Sequence, residues 1–315
     1  MSEPLTKLSF ADLSPAFLVQ GFPAVGAVDY ERALPIYQEH AKRYLDWVVA
    51  EKHGSMGYLH RGLDRRLDPT LVFPELKSVI VVALPYSPHP IQMNGLKYAR
   101  YLNGPDYHER IQQKLETAMQ SLIAIHAVPE NFRYKICVDT SAVLERTWAA
   151  LCGLGWVGKN TLLIHPQLGS YLFLGVVFTN AEFGLGPQIL KDYCGSCTRC
   201  IVACPTEALQ PHDLDARTCI SYLTLEKRGE WENPIPTKGF LAGCDLCQEV
   251  CPYNTKATKA KAPEDLAPHL EFNVEALLSE TEAEYKMRVK GTSLSRVKFA
   301  DFKRNLAAAL VETKN

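Results

Sequence analysis

The sequence predicts an α+β protein in three parts, and three observations carry that reading. Over residues 1–180 helical and strand patterns alternate, as in a layered α/β or α+β domain. Residues 181–255 then turn rich in Cys, Pro and Gly with few long periodic segments, as expected where metal–sulfur bonds replace part of a hydrophobic core. The remainder, 256–315, opens on Lys256, Lys259 and Lys261 and closes on a helical pattern from Phe302 to Val311. A chain of 315 residues has room for two domains and a large core.

Each element has its own signal. Pro35 to Lys52 reads as a helix because Tyr37, Ala41, Tyr44, Leu45 and Val48 share one face. Val79 to Leu84 is a short β-branched run stopped by Pro85, hence a buried strand. Asp106 is an N-cap, with Glu109 three residues on as a capping box; the helix it starts carries Ile111, Leu115, Ala118 and Leu122 and runs to His126. Tyr134–Val138 reads as a strand, Ser141–Cys152 as a helix, and Thr161–Ile164 and Tyr171–Thr179 as strands.

No apolar run approaches the eighteen residues or so of a membrane helix, and the start carries neither an apolar leader core nor a twin-arginine pair. A cytoplasmic protein is expected. Disulfides are disfavoured there, so ten cysteines point to metal binding or chemistry. The net charge of −1 argues against a protein that is basic all over. The charges are uneven, however. Residues 263–285 hold acidic side chains and no Lys or Arg, whereas 286–304 hold Lys286, Arg288, Lys290, Arg296, Lys298, Lys303 and Arg304 against Asp301 alone. Such a block is either a solvated helix face or a surface for phosphates.

The cysteines are the most specific signal. Cys194-x2-Cys197-x2-Cys200-x3-Cys204-Pro205 has the spacing of a bacterial two-cluster ferredoxin. Three thiolates on a tight loop reach three irons of one cubane, and the fourth points at the second. A second run, Cys244-x2-Cys247-x3-Cys251-Pro252, lacks a cysteine just before Cys244, and Cys219 is the available substitute. Crossing the ligands gives one [4Fe–4S] cluster on Cys194, Cys197, Cys200 and Cys251. The other falls on Cys204, Cys219, Cys244 and Cys247. Zinc ribbons also use Cys-x2-Cys pairs, but two Cys-Pro endings and three consecutive Cys arms are not their pattern. Cys137 and Cys152 stand outside the scheme and read as small buried apolar residues.

A large domain ahead of such a module suggests that the electrons are used there. Asp139 follows a strand, where open sheets place ligands. It is either a helix N-cap or the proton donor that a C–O-cleaving reduction needs. Gly153-Leu-Gly-Trp-Val-Gly-Lys-Asn160 is not a phosphate loop, because Asn160 stands where Ser or Thr belongs. Gly153, Gly155 and Gly158 match a dinucleotide spacing but follow a helix rather than a strand. They suit close approach of the backbone to a bulky ligand.

Together, Arg66-Leu-Asp-Pro69, Tyr101-Leu-Asn-Gly-Pro-Asp-Tyr-His108, Val138-Asp139-Thr140, Gly155-Trp-Val-Gly-Lys-Asn160, Gly169-Ser-Tyr171, Cys219-Ile-Ser-Tyr-Leu-Thr224 and both cysteine runs resemble the epoxyqueuosine reductases. These are cobalamin-dependent iron–sulfur enzymes of tRNA modification. The pieces span residues 55–255 in the family's order, and Lys303-Arg304-Asn305-Leu306 resembles its closing helix. The longer helical-repeat extension of some members is missing.

The resemblance implies a cobalamin/substrate-binding catalytic domain at 1–180, a ferredoxin-type module at 181–255 and a basic helical segment at 256–315. It also implies base-off cobalamin that the clusters reduce to a cobalt nucleophile, and conversion of the epoxide of epoxyqueuosine at the tRNA wobble position to the alkene of queuosine. Asp139, at the acid position, would protonate the departing oxygen, with a pKa raised by a dry pocket. Arg66, Tyr101, Lys159, Asn160, Ser170 and Ser221 are the expected cobalamin contacts. No Asp-x-His-x-x-Gly motif occurs, in keeping with a cofactor that has no histidine below cobalt. Lys227, Arg228, Arg296, Lys298, Lys303 and Arg304 form the expected tRNA face. An external electron donor, no membrane and a monomer complete the picture. The competing functions are a cobalamin-dependent reductive dehalogenase and a non-catalytic electron-transfer protein.

Overall fold

The computed structural model describes residues 10–126, 128, 130–233, 235–257 and 273–313; Lys259 and Lys261 of the Lys/Ala stretch lie outside them. The chain runs α1 (Phe10–Val19), β1 (Ala24–Asp29), α2 (Tyr30–Val49), the short helices α3 (Gly57–Arg61) and α4 (Leu63–Leu67), β2 (Ser78–Pro85), β3 (Ile91–Met93), β4 (Leu96–Tyr98), α5 (Tyr107–Ile125), β5 (Tyr134–Cys137), α6 (Glu145–Leu151), β6 (Trp156–Val157), β7 (Leu163–Ile164) and β8 (Leu172–Thr179). The cysteine-rich part follows with α7 (Arg199–Val202), β9 (Leu209–Gln210), β10 (Asp213–Leu214), α8 (Ile220–Leu225), β11 (Phe240–Ala242), α9 (Leu246–Glu249) and α10 (Pro252–Ala257). The chain then closes with α11 (Val274–Ser279), α12 (Glu282–Arg288) and α13 (Phe299–Thr313).

β1, β2, β8 and β5 form one sheet in that order, with every pairing antiparallel. All of β2 is buried, which explains its unbroken apolar run: both faces of the sheet are covered. Side chains of a strand alternate between faces. Ile80, Val82 and Leu84 therefore meet Leu13 and Phe17 of α1 and Ile111, Leu115 and Leu122 of α5. Val79, Val81 and Ala83 meet Tyr37 and Ala41 of α2 and Trp148 and Leu151 of α6. Gly26 is needed for closure: a Cβ there would lie 2.2 Å from the Cys152 carbonyl oxygen at the end of α6.

Some local details differ from expectation, among them the strand expected at Thr161–Ile164, which is only Leu163–Ile164. α2 begins at Tyr30 and carries Pro35 inside it. The backbone bond lost at proline is outweighed by burying Tyr30, Ala33 and Tyr37. Asp106 caps α5 by accepting from the His108 N–H at 3.0 Å, so the acceptor bond goes to that residue rather than to Glu109. α6 begins at Glu145, not Ser141, because residues 138–143 form tight turns: Thr140 N–H donates to Val138 O, and Val143 N–H to Ser141 O. Asp139 thus caps no helix, and its φ is 50°. Cys137 and Cys152 are buried, as small apolar residues would be.

A third core joins distant stretches of chain. Leu96, Tyr98 and Leu102 pack with Leu225, Leu241 and Ala242 and with Tyr285, Leu294, Phe302 and Leu306. β11 pairs in parallel with β4. Asn305 of α13, fully buried, donates to the carbonyls of Thr224 and Leu241, each at 2.8 Å. The cysteine module is thereby clamped between the sheet domain and the C-terminal helices.

Candidate active site

The structure brings four of the cysteines to one cavity and four others within reach of one another's charge. Cys194, Cys197, Cys200 and Cys251 line one cavity of about 230 Å³, with Lys159, Asn160, Tyr193, Arg199 and Tyr253. Cys219 and Cys204 lie close enough to raise the pKa of Cys244, and Cys244 and Cys219 do the same to Cys247. Burial is the first cause of raised thiol pKa values at Cys194, Cys200, Cys219, Cys244, Cys247 and Cys251. Thiolates held there need compensating positive charge, which a metal centre supplies.

The donors around them fit an anionic iron–sulfur group. Trp156 Nε1 and Asn160 Nδ2 are buried without an oxygen or nitrogen partner. The Trp156 N–H lies beside Cys194 and works against the effect of burial on that thiol. Backbone N–H groups of Ser221 and Tyr222, at the start of α8, do the same for Cys219. The Lys159 ammonium donates to the carbonyls of Gly195 (2.6 Å) and Cys197 (3.1 Å), so it braces the first cysteine loop.

A buried polar frame joins this module to the sheet domain. Arg100 donates from its backbone N–H (2.7 Å) and its guanidinium (3.0 Å) to Asp245, and reaches Glu249 at 2.7 Å. Ser170 Oγ donates to Gln248 Oε1 (2.9 Å), and its N–H to Asn254 Oδ1 (2.6 Å).

Tyr101, next to Arg100, lies where it feels Arg296, Asp139, Glu226 and Asp245, and so connects this frame with a second cluster of charges. That cluster is built where α5 starts, β5 ends and α6 starts. His108 Nε2 lies 3.0 Å from Asp139 Oδ2, and its Nδ1 lies 2.5 Å from Asp106 Oδ1. Glu145 Oε1 accepts the Asp139 backbone N–H at 2.6 Å. The Tyr107 ring stacks between Phe173 (4.1 Å) and the His108 imidazole (4.0 Å), which fixes the imidazole's plane.

The electrostatics divide the two carboxylates, and not in the expected way. Burial pushes Asp139 up, but the hydrogen bond and charge of His108, with Arg296 and Arg66, bring it below the usual carboxylate range. The expected rise instead falls on Glu145, pushed up to about 8 by its surroundings and then by the charge of Asp139. Burial opposes charging His108, but Asp139 and Asp106 outweigh it and raise its pKa. The side chain of Asp139 is 50% exposed although protein rings it, so solvent reaches the cluster.

The residues singled out from the sequence therefore separate. Asp139 lies within reach of Arg66, Tyr101 and Arg296. Lys159 and Asn160 belong to the cysteine cavity, Ser170 to the buried frame, and Ser221 to the α8 start beside Cys219. Among the basic residues, Arg304 is spent internally. It donates to the carbonyls of Leu223, Lys227 and Gly229 and lies over the Trp231 ring at 4.4 Å, with its side chain 7% exposed. Lys303 donates to the carbonyls of Leu277 and Leu278. Arg228 pairs with Asp301 at 3.2 Å, and Arg296 pairs with Glu226. Lys298 is exposed on a groove of about 570 Å³ that Lys286 and Lys290 also line, and Lys227 is half-buried. The sequence assigned no role to His108, Glu145, Trp156 or Arg100, although two of them lie in motifs it singled out, His108 in Tyr101–His108 and Trp156 in Gly155–Asn160.

Comparison with known proteins agrees with this arrangement. Residues 66–140 match the family described as epoxyqueuosine reductase QueG, DUF1730, and residues 193–254 match a 4Fe-4S double cluster binding domain. An epoxyqueuosine reductase of Leadbetterella byssophila is 34% identical over 291 residues, covering 91% of this chain and 92% of that protein. A crystal structure of epoxyqueuosine reductase with an epoxyqueuosine-modified tRNA-Tyr stem loop superposes with a TM-score of 0.81 at 28% identity, over 96% of this chain and 81% of that one. The Streptococcus thermophilus enzyme gives a TM-score of 0.82 at 29% identity, over 97% and 81%. On identity sustained across nearly the whole of both chains, this chain belongs to the epoxyqueuosine reductase family.

Proposed function

We propose that this oxidoreductase reduces the epoxide of epoxyqueuosine at the wobble position of tRNA to the alkene of queuosine. The observation that carries the reading is the half-exposed Asp139 held by His108 and lying within reach of Arg66, Tyr101 and Arg296, next to the Arg100–Asp245 frame of the second cysteine run. Two [4Fe–4S] clusters sit on Cys194, Cys197, Cys200 and Cys251 and on Cys204, Cys219, Cys244 and Cys247. They are fed by an external electron donor. Cobalamin, which Arg66 and Tyr101 would hold, would supply a reducing nucleophile.

The chain's own residues do the rest. Tyr101 and Arg66 would hold the cofactor beside Asp139. Asp139, reached from solvent yet ringed by protein, delivers a proton to the departing oxygen. Arg296 stands within reach of Asp139, where it meets the flipped nucleotide or its phosphate. Lys227, Arg228 and Lys298 extend that surface, while Lys303 and Arg304 hold the C-terminal helices that present it. No helix among the described residues is long and apolar enough to cross a membrane. A tRNA substrate places the enzyme in the cytoplasm, where it acts as a monomer.

The test is anaerobic. Protein loaded with iron, sulfide and a corrinoid is given tRNA from cells lacking the activity, and the nucleosides are read by mass spectrometry. Loss of epoxyqueuosine with matching gain of queuosine is expected. A loaded protein that binds corrinoid but leaves epoxyqueuosine intact contradicts the reading. One that binds no corrinoid points to a simple electron carrier.

A further inference from the structure

The proposed reaction has a proton requirement that Asp139 alone does not meet. Turning an epoxide into an alkene breaks two C–O bonds, forms one C=C π bond and releases the oxygen as water. It consumes two electrons, delivered by the iron–sulfur chain, and two protons. One proton caps the oxygen when the ring opens, and the other lets the hydroxyl leave as water. A resting Asp139 that is ionised carries neither.

His108 is placed to supply one of them. Its two ring nitrogens each face a carboxylate oxygen, Asp106 Oδ1 at 2.5 Å and Asp139 Oδ2 at 3.0 Å. Ionised carboxylates only accept hydrogen bonds, so both nitrogens are satisfied together only in the imidazolium form. The ring cannot swing away, because it stacks on Tyr107, which is itself stacked on Phe173.

We propose that His108 is the proton store of the site: the imidazolium passes its Nε2 proton to Asp139, which hands it to the departing oxygen. This rests on the function proposed above. The neutral ring keeps its Nδ1 proton on Asp106, and bulk water restores the Nε2 proton after product leaves. The second proton of the turnover also comes from bulk water. Asp106 acts at one remove, as a positioning residue that keeps the ring oriented and charged. The other charged or titratable groups facing the pair are Glu145 and Arg146 of α6, Arg66 of α4, Arg296 with its partner Glu226, and the hydroxyls of Tyr58, Tyr101 and Tyr107.

Two measurements decide it. In turnover of epoxyqueuosine-containing tRNA, His108→Gln keeps a donor toward Asp139 but carries no transferable proton. Its kcat should fall about 10²- to 10³-fold with KM for tRNA little changed. The fall in rate with rising pH that the proposal expects of the wild type should be absent, and added imidazole should restore part of the rate to His108→Ala. A His108→Gln enzyme with wild-type kcat and pH profile overturns the proposal. The second measurement needs no turnover. Nitrogen NMR of histidine-labelled, iron–sulfur-loaded protein should show both His108 nitrogens protonated at pH 7.5, and Asp139→Asn should lower the titration midpoint. A neutral His108 at that pH overturns the proposal, whether or not the loaded wild type reduces epoxyqueuosine. If it does not, while His108 is an imidazolium, the fault lies with the proposed reaction.

Discussion

Glu145 holds Asp139 by its backbone: the carboxylate at the start of α6 accepts the Asp139 N–H at 2.6 Å and so fixes a residue whose φ is 50°. With its pKa pushed up to about 8, Glu145 is a neutral acceptor at pH 7, and such a hydrogen bond contributes about 0.5–1.5 kcal/mol. Glu145→Ala should therefore cost up to about tenfold in kcat, with clusters retained, while Glu145→Gln, which keeps an acceptor oxygen, should cost far less. Equal losses in both variants would show that charge, not the bond, is what matters.

The same residue makes a pH prediction. Glu145 is pushed up to about 8, above the value of about 4.3 for an unfolded glutamate. The folded state thus binds the extra proton, so the contribution is full below the unfolded value and is lost as pH rises to about 8. Between pH 5 and 8.5 the urea midpoint of the wild type should fall more than that of Glu145→Gln. Parallel curves would contradict the placement.

Arg304 and Lys298 should part company when mutated. Arg304 satisfies the carbonyls of the 223–229 segment and faces Asp301, itself buried, so Arg304→Ala should destabilise the fold by about 3 kcal/mol. Lys298 is exposed, so Lys298→Ala should leave the melting temperature alone. It should weaken tRNA binding and reduce the slope of log affinity against log salt by about 0.7–0.9 per lost phosphate contact. An unchanged slope would remove Lys298 from the tRNA surface.

The crossed ligand scheme is tested by Cys204→Ala. Cys204 follows Cys200 in the first run but lies with Cys219 and Cys244 in space. Its loss should give the same reduced-state EPR signal as Cys219→Ala, with iron falling from about eight to about four per chain. A spectrum matching Cys194→Ala instead would undo the crossing.

What the sequence made legible was whatever local spacing decides. β2 and β8 announced themselves by β-branched runs, α5 by its apolar period, and the shared cavity of Cys194, Cys197, Cys200 and Cys251 by cysteine spacing. The β3–β4 hairpin was also within reach, since Asn94-Gly95, with φ of 51° and 81°, is the dipeptide that two-residue hairpin turns demand. What was not legible depends on groups far apart in the chain. The depressed pKa of Asp139 comes from His108, 31 residues away. Its strand-end position held, but the sheet is antiparallel, so the argument from parallel open sheets does not apply. Likewise Arg304 reads as a free cation in the sequence, because nothing local shows that carbonyls 75 to 81 positions away will take its donors.

The account turns on Asp139 as the residue that touches the departing oxygen, so the most direct measurement compares Asp139→Asn with the wild type in a single anaerobic turnover. Both proteins should show the same iron content, cluster spectra and corrinoid binding, while queuosine formation in the variant falls by at least about 10²-fold. A variant that converts epoxyqueuosine at the wild-type rate would contradict the account at its centre.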